Sequence, residues 1–126
     1  MNTIDYVTIQ TTSNTTSFGN LTVSRYSIGA CSDLTRGVIS SGAGSGGTTN
    51  TLDYITIATT GNATDFGDAS VSRAGVSALS DGTYGVFAGG ESVNVIDYVT
   101  IQTTGNATDF GNLSANRQGI GACSGD

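Results

Sequence analysis

Hydrophobic and polar positions alternate with a period of two over short runs along the chain, and no stretch follows the helical period. In residues 95–104, VIDYVTIQTT, the set Ile96, Tyr98, Thr100 and Gln102 alternates with Val95, Asp97, Val99 and Ile101. Such a run predicts a strand whose two faces meet different surroundings. Three more runs belong to the same stretch. Residues 75–80, GVSALS, predict a first strand that ends at the turn Asp81-Gly82. Residues 83–90, TYGVFAGG, predict a second that ends in two glycines, and 95–104 is the third. After the turn Gly105-Asn106, residues 107–114, ATDFGNLS, predict a fourth strand or half-strand.

The four-strand pattern recurs. Residues 2–21 (NTIDYVTIQTTSNTTSFGNL), 50–69 (NTLDYITIATTGNATDFGDA) and 94–113 (NVIDYVTIQTTGNATDFGNL) align column by column. Asp5, Asp53 and Asp97 match, as do Tyr6, Tyr54 and Tyr98. So do Phe18, Phe66 and Phe110, then Gly19, Gly67 and Gly111, and finally Arg25, Arg73 and Arg117. The aspartates are spaced 48 and then 44 residues apart. The extra residues fall in one place, where AGSGGTT (43–49) stands against ESV (91–93), and this Gly/Ser/Thr segment is expected to be an exposed loop. Four short strands per unit at this period predict an all-β protein of propeller-type blades: a partial blade at 2–24, full blades at 25–72 and 73–116, and the first strand of a further blade at 117–126.

Composition agrees with strands and turns. Only 11% of residues are charged, 37% are hydrophobic and glycine supplies 19 of the 126 positions, which suits neither disorder nor a helical protein. The net charge of −6, with four basic residues that are all arginine, leaves no basic face for nucleic acid or for an anionic membrane surface. No apolar run reaches the ~20 residues of a membrane-spanning helix, and the start, MNTIDYVTI, lacks the basic segment and apolar core of a signal peptide. Cys31 and Cys123 share an alignment column with Leu79. A position that accepts Cys or Leu reads as a small core site, so two free core thiols are expected ahead of a disulfide.

The order Arg73-x-Gly75, then Tyr84-Gly85-Val86-Phe87-x-Gly89-Gly90, then Asn94-x-Ile96-Asp97-Tyr98 resembles the kelch blade. The repeat wording is also similar to repeats of phage tail and virion proteins, notably those infecting marine cyanobacteria. The resemblance implies a four-stranded antiparallel blade, a virion location and a non-enzymatic tail-fibre role that contacts host-surface glycans. Two positions depart from the kelch pattern: Phe110 and its equivalents stand where a tryptophan is usual, and Ser40-Ser41-Gly42 replaces the double glycine. An alternative reading is an engineered or excised repeat fragment that self-assembles and has no ligand of its own.

The chemistry on offer is sparse. With no histidine or lysine, the usual general bases and Schiff-base nucleophiles are missing, and neither cysteine has a histidine to activate it. The copper oxidases that share the kelch propeller use histidine ligands, so that role does not carry over. The pair Asp65 and Asp68 is the one arrangement suggestive of glycoside hydrolysis, but its equivalents are Ser17 with Asn20 and Asp109 with Asn112. No enzymatic activity, cofactor or metal site is therefore expected. The mid-strand aspartates are expected to accept hydrogen bonds from a neighbouring blade rather than to bind calcium. The repeated arginines are expected to bond between strands or blades rather than to hold a glycan or phosphate. Tyr26, Tyr84 and Arg36 break the repeat and are the places to look for a grafted site. Five Asn-x-Ser/Thr sequences, at Asn14, Asn20, Asn62, Asn106 and Asn112, read as turn chemistry. The chain holds too few strands for the ~4–8 blades of a closed propeller. Self-assembly is therefore expected, most simply as a homodimer closing a five- or six-bladed ring, with an open array as the competitor.

Overall fold

The computed structural model describes residues 1–125. It is all-β, with ten strands in three antiparallel sheets and no helix among the described residues. The first sheet pairs β1 (Thr3–Tyr6) with β2 (Thr16–Asn20). The second is a four-stranded meander of β3 (Gly29–Ser32), β4 (Arg36–Gly44), β5 (Gly47–Thr56) and β6 (Thr64–Arg73). The third repeats it with β7 (Ser77–Ser80), β8 (Tyr84–Ala88), β9 (Val95–Thr100) and β10 (Thr108–Asn112). Within each sheet, each strand pairs with the next in sequence, as short turns between antiparallel strands require.

The sheets stack in order. β3 lies against β7 and β8, and β6 lies against β9 and β10. Alternation decides which side chains fill the gap. Val38, Leu52 and Phe66 project from the second sheet towards Phe87, Val99 and Ile101 of the third, and with Ala69 and Val76 they form the main core. The opposite face of the second sheet contributes Ile39 to a smaller core with Leu21 and Ala63, against which Ile4 and Ile55 pack. Full burial of side chains of this size contributes roughly 1.5–3 kcal/mol each, which outweighs anything the few surface charges could supply.

Three details differ from the sequence expectation. The segment 43–49 is mostly strand rather than loop. Ala43 pairs with Thr48 and Gly44 with Gly47, so the extra residues lengthen the β4–β5 hairpin and only Ser45 and Gly46 form its tip. The longer β5 in turn pairs with Arg73, which carries β6 one residue past the expected boundary at 72. The segment expected as a first strand at 117–126 forms no strand over 117–125, and Asp126 lies outside the described residues. An isolated extended segment needs a ladder partner to count as a strand. β7 finds one in β8, whereas among the described residues 118–125 forms no ladder, its Gly119 N–H donating singly to the Gly75 carbonyl.

The replaced double glycine leaves the backbone unchanged. Gly89 and Gly90 have φ of 71° and 126°, and Ser41 and Gly42 adopt φ of 58° and 122° at the matching positions. Ser41 is thus a non-glycine residue in the left-handed region, held by complete burial and by a 3.0 Å hydrogen bond between its hydroxyl and that of Ser40.

Candidate functional site

Several of the recurring residues meet at the two joints between sheets. At the second joint, Ser70 and Arg73 come from β6, which leaves the second sheet, and Asp97 comes from β9 of the third. The Asp97 carboxylate accepts from the Ser70 backbone N–H (3.0 Å) and hydroxyl (2.6 Å), and from Arg73 Nη2 (2.9 Å). Arg73 also donates to the Val95 and Phe87 carbonyls. The first joint is built alike. Asp53 accepts from the Thr22 N–H and hydroxyl and pairs with Arg25 Nη2 at 3.0 Å, while Arg25 donates to the Ile39 carbonyl. All four charged side chains are fully buried. Burial pulls the Arg73 guanidinium below its ordinary value, and Asp97 opposes that shift. Arg73 Nε, Arg25 Nε and Arg25 Nη1 are buried without a hydrogen-bond partner. Incomplete satisfaction of this kind limits the net stability the pairs add.

A backbone clasp accompanies each ion pair. Phe66 and Asp68 of β6 offer carbonyls to the N–H groups of Gly105 and Ala107, and the Asp68 N–H donates to Asn106 Oδ1. Phe18 and Asn20 clasp Gly61, Asn62 and Ala63 in the same way. Asn62 and Asn106, read from the sequence as turn residues, therefore also hold the adjacent sheet. Tyr6 and Phe18, Tyr54 and Phe66, and Tyr98 and Phe110 stack edge to face at 6.0–6.1 Å in their three units, so the repeated tyrosines pack within a sheet.

Of the residues that break the repeat, Arg36 belongs to a joint too. Its Nη1 donates to the Ile101 carbonyl at 3.0 Å and its guanidinium lies 4.2 Å from the centre of the Tyr54 ring. Tyr26 is exposed and bridges to Ala43 through its backbone. Tyr84 lines a cleft of about 360 Å³ on the outer face of the third sheet, with Leu79, Asp81, Val86, Tyr98 and Phe110. A second, wider depression of about 630 Å³ gathers the turns after β3 and β7, with Ser32, Asp33, Leu34, Ser80, Asp81 and Gly82, beside Ser124 and Gly125. Sequence reading missed this convergence, because only stacking brings turns 48 residues apart side by side. Asp33 accepts from Gln102, from the N–H groups of Arg36 and Thr35, and from the Thr35 hydroxyl; together these hold its carboxyl well below the usual range. The Tyr84 and Thr83 N–H groups lower Asp81 likewise.

Asp65 and Asp68 are both exposed on β6, with Asp68 engaged through its backbone in the clasp. Among the described residues, no three His, Cys, Asp or Glu side chains gather where they could hold a metal.

Both cysteines are free, but the expectation of two core thiols holds only for Cys31. Cys31 packs against the main core, whereas Cys123 is exposed on the segment that has no ladder partner. Burial, reinforced by the Asp33 carboxylate, pushes the Cys31 thiol up to about 12. Because the thiolate is the reacting form, iodoacetamide at pH 8 is expected to modify one thiol of the folded protein quickly, and Cys123→Ser is expected to abolish that fast phase. Two equally fast thiols would contradict this environment. Compared with protein-family models and with curated proteins, the chain matches neither.

Proposed function

We propose that this chain is a non-enzymatic structural and recognition module whose sheets are kelch-like propeller blades, completed by association with further copies, in the manner of a phage tail-fibre or virion component. The observation that carries this reading is the use made of the repeated residues. Asp, Arg, Ser or Thr, Asn and Phe of each internal unit are spent on joining one sheet to the next. A set of side chains devoted to joints is what a stack of interlocking blades needs. The chain offers no histidine or lysine to a catalytic site. The recognition surface we assign is the depression formed by the turns after β3 and β7, where the hydroxyls of Ser32 and Ser80 and the carboxylates of Asp33 and Asp81, beside the exposed Leu34, suit a neutral host-surface glycan better than an anion.

Native mass spectrometry of the 126-residue chain tests the assembly, with a homodimer or a ladder of larger species expected and a compact monomer at micromolar concentration counting against it. A glycan array tests recognition. Binding lost on Asp81→Ala supports the assigned surface, and an array without a single binder removes the recognition half of the reading.

A further inference from the structure

The two outermost faces of the stack are the two halves of one joint. Across the second joint, Asp97, Val99 and Ile101 of the third sheet are buried against the second. Their equivalents on the first sheet are Asp5, Val7 and Ile9, and these face outward. Ile101 is 0% exposed whereas Ile9 is 90% exposed. At the other end the reverse holds. Phe66 is 2% exposed inside the joint, and its equivalent Phe110 is 66% exposed on the outer face of the third sheet, beside Tyr98, Val86 and Leu79.

The polar parts of the joint are divided in the same way. Arg25 and Arg73 are buried with Asp53 and Asp97, but Arg117 is exposed, and so is Asp5. Ser114 matches Ser70 and Thr22, the residues that hand two hydrogen bonds to the buried carboxylate. Phe110 and Asn112 match the clasping residues Phe66 and Asp68, yet among the described residues no turn meets them. Gly111 also has nothing within 4 Å of where a Cβ would stand, whereas a Cβ on Gly67 would lie 2.4 Å from the Gly105 carbonyl oxygen. The turn able to fill that place is Ser13-Asn14-Thr15, the counterpart of Gly105-Asn106-Ala107.

Building on the self-association proposed above, we infer that a second copy of this chain docks head to tail. Its Asp5, Val7 and Ile9 lie on the Tyr98 and Phe110 face of the first copy. Ser114 and Arg117 of the first copy enclose Asp5 of the second, and the turn 13–15 of the second completes the clasp on Phe110 and Asn112. A second copy is the fitting occupant because the surfaces match each other in charge, in apolar pattern and in backbone donors and acceptors. The chain has already built that match twice inside itself. The contact is heterologous, so one face never meets its like.

Asp5 and Arg117 are exposed in the single copy, so Asp5→Ala and Arg117→Ala leave its fold intact, which circular dichroism verifies. Sedimentation velocity on the full chain is the readout. Each variant alone is expected to associate at least about a hundredfold more weakly than the unmodified chain, the size of loss that removing one partner of a buried ion pair produces. An equimolar mixture of the two is expected to recover a species of two unlike copies, since the Arg117 of one variant still meets the Asp5 of the other. Val7→Asp, on the same face, is expected to weaken association likewise. If the unmodified chain assembles and all three variants assemble equally well, head-to-tail docking is wrong while self-association stands. If the unmodified chain stays monomeric, both are wrong.

Discussion

Replacing Asp97 with alanine is expected to lower the free energy of unfolding by about 3–5 kcal/mol, because it strands the buried Arg73 guanidinium and leaves the Ser70 N–H and hydroxyl without their acceptor. A domain of this size is stable by only about 5–15 kcal/mol, so the variant sits near the edge of folding. The same change at Asp5, in the same alignment column, is expected to shift stability by less than about 0.5 kcal/mol when measured at dilutions where copies do not associate. Urea titration of the two proteins side by side gives the comparison, and equal losses would show that the ion pair is not what distinguishes them. The double change Arg73→Met with Asp97→Leu is expected to recover the part of the loss that comes from the stranded charge, while the Ser70 N–H and hydroxyl stay without their acceptor. It removes both charges, and with them the burial of an Arg73 Nε that has no partner.

The second large effect comes from the glycine that follows each repeated phenylalanine, where two contributions can be separated. Gly19 needs no left-handed φ, but a Cβ there would stand 2.0 Å from the Gly61 carbonyl oxygen. Gly111 has φ of 145° and open space around it. Gly67 combines both problems, with φ of 140° and the Gly105 carbonyl oxygen at 2.4 Å. At dilutions where copies do not associate, Gly111→Ala therefore reports backbone strain alone, of order 1–3 kcal/mol. Gly67→Ala adds the forced separation of the second and third sheets and is expected to exceed it by at least about 2 kcal/mol, as deleting the Phe66–Gly105 hydrogen bond and opening the packed core around Phe66 would require. Gly19→Ala is expected to loosen the first sheet while sparing the other two. Amide hydrogen exchange would show this as lost protection confined to β1 and β2, and uniform loss across all ten strands would contradict it.

Much of this molecule is local and so was legible from one dimension. Period-two alternation places β7, β8, β9 and β10 inside the predicted runs to within a few residues, because a strand with unlike faces must alternate. Turn chemistry located Asp81-Gly82, where Gly82 takes φ of 87° and Asp81 accepts from the following N–H groups. The column shared by Asp5, Asp53 and Asp97 announced a common role, and hydrogen bonding across a joint is the role that Asp53 and Asp97 have.

Alternation says that a strand has two faces and is silent about what each face meets, and there the tertiary structure decided. The strands bearing Asp5 and Asp97 share the wording Ile-Asp-Tyr, yet one aspartate is exposed and the other fully buried, since only the latter has a sheet stacked in front of it. Cys31 and Cys123 share a column but not an environment for the same reason. The segment 43–49 reads as a loop by composition, and ladder hydrogen bonds across the hairpin made it strand. The depression beside Asp33 and Asp81 exists only because stacking sets equivalent turns next to each other. Local pattern determines which residues can pair within a sheet. Burial depends on the neighbour, and a neighbour is a property of the stack rather than of the strand.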